Sequence, residues 1–279
     1  MRKHLFFLAS FTFIIVFFGC KENDTITNPN NNFLKDNVIV PFSPIDSKIT
    51  LRLIEEISPK NRNVVLICST EKTYSPGGTK IVSTITQEKD TFKIAFNDLL
   101  ISNNGPAIFS PATADFDLNT LKVGSYYLDI SINGKKLLCL IKVTDDSFKL
   151  KIQPNNIIRL YNDVLYRVPK TIIWGQAESI EPAPYQLFLD SLVVLGAKSH
   201  NLSAGDYFYF TVDDNGGFDT HSVLGMPYGN YFLFNFEGDT TLTRNLVKRF
   251  AKRYLDSIYI RLSGGRGEEY YSTVLKNGT

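Results

Sequence analysis

The segment YYLDISINGKKLLCLIKV, residues 126–143, limits what this chain can fold into more than any other stretch. Tyr126, Leu128, Ile130 and Ile132 alternate with more polar residues, Asn133-Gly134 interrupts, and Leu137, Cys139, Ile141 and Val143 alternate again. Alternation at period two puts each set on one face of a strand. Asn-Gly is the dipeptide that most readily takes the two positive-φ conformations of a tight hairpin turn. The expectation is an antiparallel hairpin with one apolar face, which needs a larger sheet to cover it. KITLRLI (48–54), NVVLICST (63–70), KIVSTIT (80–86) and TFKIAF (91–96) carry the same β-branched, alternating pattern between turn residues. The fold class expected is mainly β.

Just before the hairpin, Leu121, Gly124 and Tyr126 form the pattern L-x-x-G-x-Y entering a strand. This resembles the tyrosine corner of immunoglobulin-like sandwiches, in which the phenol hydrogen-bonds nearby backbone. Residues 116–144 also resemble the last strands of the carboxy-terminal sorting domain of type IX secretion cargo. Their mid-chain position carries over the fold and not the address-tag role. The resemblance implies an Ig-like β-sandwich over 45–146. Asp145-Asp146-Ser147 is a polar break, after which 147–279 reads as a β-rich α+β domain with one main helix. In that helix, about 240–257, Leu242, Leu246, Val247, Phe250 and Tyr254 form a stripe at helical spacing, with Asp239 or Thr241 as cap. A second L-x-x-G-x-Y, Leu202 to Tyr207, is a recurrence of the local device.

The first residues divide into a positive start (Arg2, Lys3), an apolar run from Leu5 to Phe18, and Gly19-Cys20. That apolar run is shorter than a spanning helix needs and fits the hydrophobic part of a secretory signal. Phe17-Phe18-Gly19-Cys20 resembles the lipobox of bacterial lipoproteins, with Phe17 where Leu is usual. The resemblance implies removal of 1–19 and acylation of Cys20. Lys21-Glu22-Asn23-Asp24 resembles the export signal of surface-exposed Bacteroidota lipoproteins, implying a lipid-anchored protein at the cell surface of the outer membrane, with its periplasmic face as the alternative. Residues 20–44, rich in Asn and Thr, hold too little apolar surface to offset the entropy of ordering and read as a flexible stalk. Removing Arg2 and Lys3 from 30 basic and 28 acidic residues leaves 28 of each. A neutral chain has no global electrostatic reason to seek nucleic acid.

Candidate chemistry is sparse. His200 and His221 are the only histidines after the signal segment, with no C-x-x-C or H-E-x-x-H, so no metal or cofactor is expected. Asp213 to Asp219 gathers oxygen ligands, but it departs from the EF-hand spacing and reads as a solvated turn. Asp219, His221 and Ser222 are too close in sequence to orient one another as a triad. Gly264-Gly265-Arg266-Gly267 is followed by a strand and reads as a hairpin loop. Arg244, Lys248, Arg249, Lys252 and Arg253 read as a solvated basic helix face. Cys68 and Cys139 lie on apolar strand faces, and both a disulfide and two buried thiols remain open. No catalytic residue is assigned and no enzyme activity is expected. The function expected is a surface binding or adhesion module for polysaccharide or another cell-surface component. The alternative is an accessory or assembly subunit docking another envelope protein. Trp174, the single tryptophan, is the first ligand-binding candidate, because aromatic rings stack on sugars.

Overall fold

The structure, a computed structural model, describes residues 42–101 and 106–272. The signal segment, Cys20 and most of the stalk lie outside the described residues. Eleven strands form the first sheet: β1 (Phe42–Ser43), β2 (Ile49–Ile57), β3 (Arg62–Tyr74), β4 (Lys80–Glu88), β5 (Thr91–Leu100), β6 (Ser110–Asp117), β7 (Gly124–Ile132), β8 (Lys135–Val143), β9 (Ser147–Ile152), β10 (Ile158–Leu160) and β11 (Val164–Tyr166). Their order is β10-β2-β3-β6-β4-β5-β7-β8-β9-β11, with β1 added at the end of β5.

The expected hairpin is β7–β8, with Ile132 opposite Lys135 and Asn133 and Gly134 at φ 48° and 75°. Leu128, Ile130, Ile132, Cys139, Ile141 and Val143 point into one core with Leu51, Leu53, Leu66, Phe92, Ile94 and Phe116. The Tyr126 phenol accepts a hydrogen bond from the Lys122 N–H at 3.1 Å, the local bond expected of the corner. Pairing nevertheless connects all eleven strands in one curled sheet, in which β4 and β6 meet at a single register pair, Lys80–Thr113. The curl also takes in strands beyond residue 146: Phe148, Leu150, Ile158 and Leu165 belong to the same core. The polar Asp145-Asp146-Ser147 is therefore a tight turn within the sheet, closed by Thr144 N–H donating to the Ser147 carbonyl at 2.9 Å. The expected domain boundary falls inside the sheet.

The strands at the two ends of the path, β10 and β11, are joined by residues 161–163 alone, so the ends lie within about 14 Å of chain. Tyr161 N–H donates to Leu51 O at 2.9 Å and Leu150 N–H donates to Asp163 O at 2.8 Å, tying this link to both edges. Cys68 and Cys139 sit in the core as free thiols, not a disulfide. Burial pushes both up, Cys139 to about 11.

The rest of the chain comprises β12 (Ile172–Ser179), α1 (Pro182–Val194), β13 (Lys198–Ser199), β14 (Gly205–Asp206), β15 (Thr211–Val212), β16 (Phe218–Asp219), β17 (Tyr228–Asn235), α2 (Thr240–Tyr254), β18 (Ile258–Gly264) and β19 (Glu269–Tyr271). A five-stranded sheet, β13-β17-β12-β18-β19, carries both helices on one face. Phe188 and Leu192 of α1 meet Leu246, Val247 and Phe250 of α2 over Ile173, Ala177, Phe232 and Ile260. α2 begins with the Asp239 carboxylate accepting from Thr241 N–H at 2.8 Å and continues as a 3-10 turn to Ser257. The opposite face buries Trp174 and Leu233 against Tyr207, Phe210 and Val212 of the small β14-β15-β16 sheet.

A polar knot joins the halves. Glu55, 3 % exposed, takes Arg167 at 2.8 Å and Arg62 at 3.4 Å. Arg62 also donates to the carbonyls of Val168 and Gly265. The Gly264–Gly267 hairpin loop packs on the β2–β3 turn so closely that a Cβ on Gly267 would lie 2.1 Å from the Ser58 carbonyl carbon. Gly267 serves backbone approach between the halves, and Gly265 a similar approach to the Pro169 carbonyl.

Candidate functional site

The residues singled out in the sequence do not converge. Trp174 is 6 % exposed, with Tyr209 and Phe210 rings at 5.1 and 5.6 Å, so its indole is enclosed in the third core and offers no open face for a sugar. Asp219 and His221 are 3.5 Å apart on the surface, but Ser222 Oγ donates to the Thr220 carbonyl and not to the imidazole. In the 213–219 loop one Asp213 oxygen accepts from both Asn215 and Gly217 N–H at 2.8 Å, which accounts for the turn. Among the described residues no three His, Cys, Asp or Glu side chains group as metal ligands.

A different set does converge, at the link between β10 and β11. The register Arg159–Thr50 and Leu160–Leu51 brings Tyr161 beside Arg52, whose neighbours Leu51 and Leu53 face the core while Arg52 faces away from it. The Arg52 guanidinium lies 4.4 Å from the Tyr161 ring centre and 5.5 Å from that of Phe208. Tyr161 is 59 % exposed, so its face away from the guanidinium meets solvent. Asp206 supports the group: one carboxylate oxygen accepts from Asn162 Nδ2 at 2.6 Å and lies 3.9 Å from Arg52 Nη2, and the other accepts from Phe208 N–H at 2.7 Å. That last bond holds Phe208 at φ 67°, the left-handed region that a bulky side chain rarely occupies.

Two buried polar atoms here have no hydrogen-bond partner among the described residues: Arg52 Nε, a donor, and Asn162 Oδ1, an acceptor. Buried polar atoms are nearly always paired, so an unmet donor and an unmet acceptor within one cluster mark it out. An open aromatic face beside a guanidinium, an amide and a carboxylate suits a ligand with an apolar ring face and polar edges. Sequence reading missed the cluster because it is drawn from β2, the 161–163 link and the β14 turn, which only the folded register brings together. The available signal was RLYND, an aromatic residue placed at a polar turn between short apolar segments.

A concavity of about 300 Å³ lies elsewhere, lined by Phe96, Asn97, Ser131, Ile132, Asn133, Gly134 and Lys136, at the end of the parallel β5–β7 pair. It has no open aromatic ring, and Asn133 Nδ2 is already donating to Ile45 O at 2.8 Å. Among the described residues no helix is long and apolar enough to cross a membrane. No protein-family model, no curated protein and no solved structure matches this chain.

Proposed function

We propose that this is a lipid-anchored cell-envelope protein that binds glycan at the Tyr161 cluster and does not catalyse. The carrying observation is the exposed Tyr161 ring seated on Arg52, beside the unmet Arg52 Nε and Asn162 Oδ1. A pyranose stacks its axial C–H face on the open side of Tyr161, while the Arg52 guanidinium on the other side holds the aromatic ring in place. Stacking of this kind supplies about 1–2 kcal/mol, and a central aromatic residue commonly carries much of a binding site's energy. Gly19-Cys20 supports the anchor, and the corner bond from Lys122 N–H to Tyr126 supports an Ig-like origin for the first sheet.

The test is a titration of the chain from Lys21 onward with soluble neutral and acidic polysaccharides. Tyr161→Ala is expected to weaken the best of them about tenfold or more without lowering the melting temperature. A stable protein partner in place of any glycan, or unchanged glycan affinity in Tyr161→Ala, refutes the assignment. For the anchor, Cys20→Ser in the full chain should abolish metabolic lipid labelling, and normal labelling of that variant refutes it.

A further inference from the structure

The two helices cover one face of the five-stranded sheet, so what they expose points the same way, away from that sheet. On α2, Arg244, Lys248, Arg249, Lys252 and Arg253 occupy about half the helix circumference, while Thr243, Leu246, Val247, Phe250 and Ala251 are buried on the other half. None of the five cations makes an ion pair with a described residue; Arg253 lies over the Tyr254 ring. On α1 the exposed side carries three aliphatic residues, Leu187 (45 % exposed), Val193 (55 %) and Val194 (86 %), together with Gln186 and Asp190. Its one acid, Asp190, accepts from Gln186 Nε2 at 3.0 Å. Leu242 (43 % exposed) and Leu255 (56 %) stand at the two ends of the basic stretch, as do the acids Asp239 and Asp256.

An unpaired basic helix face alone is commonly solvated, and an exposed aliphatic helix face alone costs solubility. Side by side on one layer they match a phospholipid surface, where phosphates lie above the first methylenes of the acyl chains. We infer that the α1–α2 layer docks on an anionic phospholipid bilayer, with Arg and Lys on headgroup phosphates and Leu187, Val193 and Val194 against the first methylenes of the acyl chains. Anionic polymers supply the charge complement but leave the aliphatic side of the layer uncovered. The contact adds to the lipid tether proposed above and is tested without it. Residues 21–41 give at most about 75 Å of chain between the described residues and Cys20. The Tyr161 cluster contacts β14, on the other side of the five-stranded sheet, so docking leaves it facing away from the lipid.

The experiment uses the non-acylated chain from Lys21 onward, which keeps every residue of the three cores, all between Ile45 and Leu262. It is sedimented with vesicles of phosphatidylglycerol and phosphatidylethanolamine, and with phosphatidylcholine alone. Binding is expected to the anionic vesicles and to fall steeply with salt. Each cation is worth about fivefold, so the triple variant Lys248→Gln, Arg249→Gln, Lys252→Gln should lose on the order of 100-fold. Val194→Asp should lose about tenfold. All four positions face solvent or its margin, and circular dichroism checks that the variants remain folded. Equal binding to the two vesicle types, or unchanged binding in the triple variant, overturns the proposal. So does binding to heparin with none to vesicles, which assigns the face to a soluble polyanion.

Discussion

Glu55→Gln is the sharpest test of how the two halves of the molecule hold together. The carboxylate is 3 % exposed and faces two guanidinium groups at 2.8 and 3.4 Å, whose side chains are only 17 % and 16 % exposed. At an effective dielectric constant near 20, charges at these distances attract by about 5–6 kcal/mol each before desolvation and Arg–Arg repulsion are subtracted. The amide replacement fits the same space and still accepts one hydrogen bond, but leaves both cations uncompensated. Breaking buried pairs by removing one partner costs about 3–5 kcal/mol, and that range is expected here. Arg62 keeps its bonds to Val168 O and Gly265 O, so the loss falls on the junction and not on either core. Urea unfolding of the chain from Lys21 onward, followed by tryptophan fluorescence and far-UV circular dichroism, reads this directly. Trp174 reports the second half, and the sheet signal reports both. The native chain should unfold in one transition, whereas Glu55→Gln should bring the fluorescence midpoint below that of the sheet. A loss under 1 kcal/mol with coincident transitions would refute the argument and mean that the knot contributes little.

Three further outcomes are expected. Tyr126→Phe should cost about 1 kcal/mol through its bond to Lys122, and Tyr207→Phe somewhat more, since Tyr207 is 4 % exposed and donates to Ser203 O at 3.0 Å; two unchanged melting temperatures would remove the corners from the stability argument. A chain from Lys21 ending at residue 146 should aggregate where one ending near 168 stays soluble, because the shorter form lacks β9, β10 and β11 and bares β8 and β2; a soluble, cooperatively melting shorter form is the contrary result. Cys139, raised by burial from 9.0 to about 11, favours the folded state while it is neutral, so its contribution is complete below pH 9 and falls by roughly 2–3 kcal/mol as pH rises from 9 to 11; a Cys139→Ala chain whose alkaline loss equals the native one would deny this.

Local pattern foretold local structure here. Alternation and Asn133-Gly134 located the β7–β8 hairpin, and the Leu246, Val247, Phe250 spacing located α2, because each depends on neighbours in sequence. α1 escaped notice: Pro182 and Pro184 discourage a helical reading, and aliphatic residues on its outer side blur the periodicity that marks an amphipathic helix. The prolines in fact sit in its first turn, where a missing N–H is harmless. Asp145-Asp146-Ser147 resembled a boundary because a polar turn inside a sheet and a linker have the same composition. Trp174 could be read as a platform or as core, and only the register of β12 against β17, which sends it toward Tyr209 and Phe210, decides its surroundings. The Tyr161 cluster required three segments to meet, so no spacing rule could reveal it.

The link at residues 161–163 also sets a timetable. β2 is among the first strands synthesised, yet the strand on its outer side is β10, with Ile49 paired to Ile158 roughly a hundred residues later. Every other long pairing in the first sheet forms across shorter separations, so this junction closes last and carries the largest loop-closure cost. Until then a growing or refolding chain shows the outer side of β2 to whatever is nearby. Completion of the first sheet is thus a precondition for the Tyr161 cluster, which then needs only the β14 turn, and a chain caught before that event has neither.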